Sequence, residues 1–181
     1  IDVQEGHYIV RYRSSKGQCH TVSARYIVGA DGANSLVRRA VYPSHKIRTY
    51  LSIQEWYRQS QSQPFYASIF DPEVSDCYSW AMYKDEFFLL GGAYPLDGAR
   101  ERFDRQKEKL KNYGYCLDQP IKREACLVLR PERISDIVTG KEGAYLIGEA
   151  AGWISPSSLE GISYALISAR ELARSFPQMP N

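Results

Sequence analysis

Leu146-Ile147-Gly148-Glu149-Ala150-Ala151-Gly152-Trp153, followed by Pro156 and then by Glu160-Gly161-Ile162, decides the fold class of this chain. The apolar run Tyr145, Leu146 and Ile147 predicts a buried strand that stops at a glycine, an acid and two alanines. A proline-containing loop follows. Ile162, Ala165, Leu166, Ala169, Leu172 and Ala173 then recur at helical spacing, predicting a helix over residues 161–175 with one apolar face, ending before Pro177. Strand, small-residue turn and helix start in that order form a seat for a polyhydroxylated, anionic ligand. The acid binds hydroxyls, the small residues allow close approach, and the helix start offers N–H groups carrying partial positive charge. A generic strand-to-helix connection shares this outline.

Residues 24–39 repeat the pattern. Tyr26 to Ala30 is a short apolar strand running into Gly29-Ala30-Asp31-Gly32, and Leu36-Val37-Arg38-Arg39 is a basic helical turn. This second segment resembles the Asp-Gly motif of flavoprotein hydroxylases and their relatives. The first resembles the same superfamily's later Gly-Asp motif, usually written G-D-A-A. The two stand in the family's order with a long insertion between them. The chain is therefore identified as resembling the FAD-dependent oxidoreductase superfamily of the flavoprotein hydroxylase type. Gly152-Trp153 and Glu160-Gly161-Ile162 are similar to the G-D-A-A-G-F and P-x-x-G-E-G-I segments of its geranylgeranyl-reductase-like branch. Tyr78-Ser79-Trp80-Ala81-Met82-Tyr83, with Gly91-Gly92 downstream, is similar to that branch's Y-x-W-x-F-P, with Met82 and Tyr83 departing from it.

The resemblance implies a fold class of α/β with an α+β insertion: the C-terminal part of an FAD/NAD(P)-binding domain plus an antiparallel-sheet substrate domain. The expected division is 1–43 and 142–181 for the cofactor part and 44–141 for the insertion. Members of the superfamily begin with a strand and G-x-G-x-x-G, and none of the 13 glycines here falls into that pattern. The chain is thus expected to lack the N-terminal dinucleotide-binding portion, to hold FAD weakly or not at all by itself, and to be inactive alone.

The resemblance also implies site residues. Gly29, Asp31, Gly32, Gly148, Glu149, Ala150, Pro156, Gly161 and Ile162 are the expected cofactor contacts, and Tyr78 and Trp80 the expected wall of an apolar substrate pocket. Each has a plainer reading. Asp-Gly is a common turn; an acid at position 149 also suits a helix entry; Glu149 is one methylene longer than the family's aspartate. Tyr78 and Trp80 fit an alternating strand with large aromatics on one face. Arg38 and Arg39 either approach phosphate or face solvent, with at least one expected in solvent. Leu159 stands where the motif has glycine, which is costly if that position needs positive φ. Glu160 is read as interacting with the start of its own helix. No catalytic residue is assigned.

The function implied is reduction of a C=C bond in an isoprenoid or other apolar substrate, with electrons from NAD(P)H or a reduced carrier. A flavin-dependent monooxygenase or halogenase-like enzyme, and a non-catalytic binding module, are the alternatives.

Composition bounds the rest. With 181 residues and 44% hydrophobic content the chain builds a core, and a formal charge of +2 without a basic stripe argues against nucleic acid as partner. Cys19, Cys77, Cys116 and Cys126 are scattered and His7, His20 and His45 lie far apart, so no disulfide framework and no metal site is expected. A cytoplasmic protein is the expectation, with peripheral membrane association if the substrate is a lipid. The middle of the chain predicts strands at 51–57, 64–70, 77–84, 87–93 and 125–129, and a helix over 98–113 with Ala99, Phe103, Leu110 and Tyr113 on one face, capped by Gly114. A hairpin is expected over 7–23, turning at Ser14-Ser15-Lys16-Gly17, and the charged run at 107–111 is expected to be a solvated face.

Overall fold

A computed structural model describes residues 1–58 and 65–176. Pro64 and Pro177, used above to bound a strand and a helix, lie outside the described residues. The chain divides into two compact units, residues 1–48 with 129–181 and residues 49–128.

In the first unit, β1 (Asp2–Gln4), β2 (His7–Arg13) and β3 (Cys19–Ala24) form an antiparallel sheet in that order. The expected hairpin is β2–β3, with Tyr12 opposite His20. Strand β1 was not legible: it pairs Gln4 with His7 across Glu5-Gly6, whose φ values of 48° and 77° make the tight turn with two positive φ angles that suits hairpins. A short strand β4 (Ile27–Gly29) leads into α1 (Leu36–Val41).

The second unit is a five-stranded antiparallel sheet with one helix. β5 (Thr49–Arg58), β6 (Tyr66–Phe70), β7 (Tyr78–Lys84), β8 (Phe87–Pro95) and β9 (Lys122–Leu129) stand in the order β6-β7-β8-β5-β9. Helix α2 (Ala99–Lys111) connects β8 to β9. It starts one residue after Gly98, whose φ of 66° places it outside the helix. Ala99, Phe103 and Leu110 pack with Ile53, Leu90 and Tyr94 in the core, but Tyr113 lies beyond the helix end and is 81% exposed. Gly114, at φ 87°, turns the chain and lets the Tyr115 amide reach the Leu110 carbonyl.

The charged run is not solvated throughout. Lys107 reaches the carboxylate of Glu55, a residue with no solvent exposure, at 2.7 Å, and Arg123 and the Tyr57 hydroxyl donate to the same carboxylate. Two cations and a hydroxyl compensate one buried anion and join β5, α2 and β9.

The chain returns to the first unit through β10 (Gly140–Lys141) and β11 (Ala144–Leu146), which turn at Glu142-Gly143. The boundaries of this unit lie at 48 and 129 instead of 43 and 142. Residues 134–141 are part of it: Val138 packs in its core, its amide donates to the Ala151 carbonyl, and β10 pairs with β11. Helix α3 (Ile162–Ser175) contains no fully buried residue. Its Ala165, Ala169 and Leu172 side is half-buried, whereas Ile162 and Leu166, expected on the buried face, are 76% and 69% exposed. The described structure is α/β with an antiparallel α+β insertion.

Candidate functional site

Strands β4 and β11 lie side by side and parallel, with Ile27 opposite Ala144 and Gly29 opposite Leu146. Parallel pairing sends both chains out of the sheet at the same end. The Gly29-Ala30-Asp31-Gly32 turn and the Gly148-Glu149-Ala150-Ala151 turn are therefore neighbours, and the Ile147 amide donates to the Gly29 carbonyl at 3.0 Å. A β-carbon on Gly29 would lie 2.6 Å from Leu146 and 2.8 Å from Val37, so glycine is what lets strand and helix close on one another here.

Beyond Gly29 the chain turns at Gly32 (φ 70°), beside which a β-carbon would meet nothing within 4 Å. Asp31 caps α1: its Oδ2 accepts the Leu36 amide at 2.7 Å and the Val37 amide at 3.4 Å. Burial pushes this carboxyl up, but the hydrogen bonds from Ser35 and the Leu36 amide outweigh it and hold it below the usual carboxylate range. Ser35, fully buried, is the N-cap and accepts the Arg38 amide at 2.9 Å.

Arg38 neither faces solvent nor projects as a free phosphate ligand. It is 7% exposed, and its guanidinium donates to the carbonyls of Ala33, Glu149 and Ala150, the last at 2.7 Å. One side chain thus ties the two turns together. The pattern Ser-x-x-Arg was visible in the sequence, but the carbonyl partners lie in the distant segment. Arg39 is exposed and pairs with Asn34, matching the expectation that one of the two arginines is in solvent.

Residues 148–151 form a single 3-10 turn that ends at Gly152, φ 92°, where a β-carbon would stand 3.1 Å from the Asp136 carbonyl. Glu149 does not serve as a helix entry. Its Oε1 accepts the Leu129 amide at 2.7 Å, so the carboxylate folds back to the end of β9. Burial raises its pKa, and the Leu129 amide and Arg38 only partly oppose the rise. Gly148, φ 54°, approaches α3 closely enough that a β-carbon would be 3.1 Å from Ala165, and its amide donates to Ser168 at 2.9 Å.

The loop from Pro156 to Gly161 is closed on itself: the Leu159 amide reaches the Ser155 carbonyl and the Ser155 amide the Glu160 carbonyl. Arg130 holds it from outside by donating to the Pro156 carbonyl at 3.0 Å. Leu159 has φ 55°, so the position does take the left-handed conformation and leucine occupies it at a cost. Glu160 accepts the Ser163 amide at 2.8 Å and the Ser163 hydroxyl at 2.7 Å, capping α3 as expected. Gly161 precedes the helix and Ile162 opens it.

Tyr78 and Trp80 belong to the second unit. On β7 they share a sheet face, ring centroids 5.7 Å apart, and Phe70 of β6 stands 6.3 Å from Tyr78. Trp80 pairs with Gly91, and Gly91 with Gln54. The indole crosses above Gly91, where a β-carbon would collide at 2.5 Å, and donates to Gln54 Oε1 at 2.9 Å. Ser52, Gln54, Trp80, Glu124 and Cys126 line a hollow of about 390 Å³ on this face. Gln54 and Cys126 carried no motif, because only strand register places them beside Trp80. Among the described residues no group of acids, histidines or cysteines is arranged to hold a metal, and no helix is long and apolar enough to cross a membrane.

Residues 2–85 match the FAD binding domain family. Protein CbrA of Escherichia coli O9:H4 (strain HS) is 51% identical over 169 residues, covering 93% of this chain and 46% of that protein. CbrA of Shigella flexneri serotype 5b (strain 8401) is 49% identical over 177 residues, covering 98% of this chain and 48% of the relative. The chain therefore spans about half the length of the curated relatives it matches. Among solved structures, a geranylgeranyl bacteriochlorophyll reductase-like protein from Thermoplasma acidophilum superposes with a TM-score of 0.66 at 17% identity, over 87% of this chain and 42% of that one. The flavin-dependent halogenase CmlS gives 0.63 at 15% identity, over 96% and 34%. These likenesses are of fold, and a reductase-like protein and a halogenase give similar scores. The match over residues 2–85 and the fold shared with flavin-dependent proteins support FAD as the cofactor.

Proposed function

We propose that the full-length protein is an FAD-dependent oxidoreductase that reduces a C=C bond in an isoprenoid or other apolar substrate, drawing electrons from NAD(P)H or a reduced carrier. The observation that carries the flavin part is the parallel pairing of β4 with β11, which brings Gly29, Asp31 and Gly32 beside Gly148, Glu149 and Ala150. The residues present fit a dinucleotide: the backbone at Gly32 is bare, and the turns around it are held by the Asp31 cap on α1 and the buried Arg38–Ala150 hydrogen bond. In this reading Gly32 admits the cofactor by its small size, the buried Gly148 and Ala150 keep the second turn compact beside it, and Pro156, Gly161 and Ile162 present backbone to its ring system. Asp31 and Glu149 act chiefly by shaping the two turns. FAD, when bound, supplies the hydride.

The aromatic sheet face supports an apolar substrate. Phe70, Tyr78 and Trp80 offer a wall that excludes water, and the Trp80–Gln54 hydrogen bond holds the indole in place. Peripheral association with a bilayer follows if the substrate is a lipid. The test is anaerobic: full-length protein reduced with dithionite is mixed with a geranylgeranyl-bearing lipid. Reoxidation of the flavin with formation of the dihydro product supports the reading. Oxygen uptake coupled to a hydroxylated or halogenated product selects a monooxygenase or halogenase instead, and a colourless protein that cannot be loaded with FAD selects a non-catalytic module.

A further inference from the structure

The second unit carries a groove that this chemistry does not use. It has a volume of about 860 Å³, is walled by Ile69, Tyr113 and Tyr115, and has Gln106 of α2 among its lining residues. Tyr113 is 81% exposed, whereas Gln106 is 2% exposed. The Ser79 hydroxyl donates to Gln106 Oε1 at 2.7 Å, and the Tyr94 hydroxyl donates to the same oxygen. With the oxygen committed to β7 and β8, Gln106 Nε2 is left buried without a hydrogen-bond partner among the described residues. Two N–H donors in that state lack the acceptor that buried amides ordinarily have.

The mouth of the groove sets the charge of what enters. Lys109 bridges Asp71 at 2.8 Å and Glu73, so two carboxylates face one ammonium and the rim is net negative. A carboxylate or phosphate ligand is disfavoured there. We propose that this groove is a binding site for a small neutral aromatic molecule bearing a carbonyl, its oxygen accepting from Gln106 Nε2 and its ring lying against Tyr113 and Tyr115. The site is independent of the flavin chemistry.

The test uses the full-length protein and two probes, benzamide and, as the charged control, benzoate, followed by saturation-transfer NMR. Saturable benzamide binding is expected, at least about tenfold tighter than benzoate. Gln106→Met is expected to weaken it about tenfold, the equivalent of one lost hydrogen bond. Because that variant also strips an acceptor from Ser79 and Tyr94, Tyr113→Ala, on an exposed side chain, serves as the second variant, with about fivefold weakening expected. Absence of saturable benzamide binding, binding unchanged in both variants, or equal binding of benzoate overturns the proposal. Sedimentation showing a dimer that Tyr113→Ala dissociates overturns it in favour of a second copy of the chain.

Discussion

Arg38 and Ala150 stand 112 residues apart in sequence, and the guanidinium of one donates to the carbonyl of the other at 2.7 Å. The same guanidinium holds the carbonyls of Ala33 and Glu149, so the two motif turns share a single buried clasp. Replacing Arg38 by methionine keeps much of the apolar stem but orphans these carbonyls. The expected loss is about 2–4 kcal/mol in urea unfolding, with loss of flavin from the full-length protein. Arg38→Lys, a point donor without the planar fork, is expected to recover only part of both. Unchanged stability in Arg38→Met ends the case for the clasp.

Leu159 tests backbone strain. At φ 55° a β-carbon is unfavourable. Glycine is normally less stable than alanine, by roughly 0.5–1 kcal/mol within regular structure. Here Leu159→Gly is expected to exceed Leu159→Ala in stability by about 1 kcal/mol. The usual order in thermal unfolding of the two variants contradicts the strained loop.

Glu55 makes the fold sensitive to acid. Burial acts to raise its pKa, but Lys107, Tyr57 and Arg123 together pull it below the ordinary carboxylate value. A carboxylate with a depressed folded pKa contributes stability that is present above its unfolded pKa of about 4.3 and is lost as the pH falls through the folded value. Glu55→Gln leaves Lys107 and Arg123 without their counter-ion and is expected to cost about 3–5 kcal/mol at neutral pH. Its unfolding midpoint then falls less than that of the natural protein below about pH 4.3.

Glu149 has the opposite sign. Its pKa is raised chiefly by burial, so the folded state binds a proton more readily than the unfolded chain, and stability declines as the pH climbs from the ordinary carboxylate range towards the raised value. Glu149→Gln keeps an oxygen for the Leu129 amide and removes the buried charge. It is expected to raise the melting temperature at pH 7 and to show no gain below about pH 4. Melting curves across that range check the sign.

Gly91 is a lock on the aromatic face. Gly91→Ala places a methyl 2.5 Å from the Trp80 indole, which must leave Gln54. A cost of about 1–3 kcal/mol is expected, together with a shift in tryptophan emission. If the proposed substrate face is right, the variant also weakens binding of the apolar substrate while the flavin spectrum stays intact.

Much of the architecture was open to reading in the linear chain. Strand-forming alternation marks β5, β7 and β8, the apolar period marks α2, and the two glycine-acid turns announce themselves because strand ends and helix starts need those residue types locally. Even Leu159's conflict with positive φ was visible, since it is a property of one residue and its backbone. Non-local pairing was not. Which face Trp80 shares with Gln54 and Cys126 depends on register across four strands, β7, β8, β5 and β9, and Lys107 looked like a solvated charge until Glu55 arrived from a strand 52 residues earlier. Likewise α3's apolar period was evident, but only packing settled that Ala165 and Leu172 turn inward while Ile162 and Leu166 remain exposed. Local conformational preference is written residue by residue. Burial and the destinations of Arg38, Glu149 and Lys107 depend on partners that come near only when the chain folds.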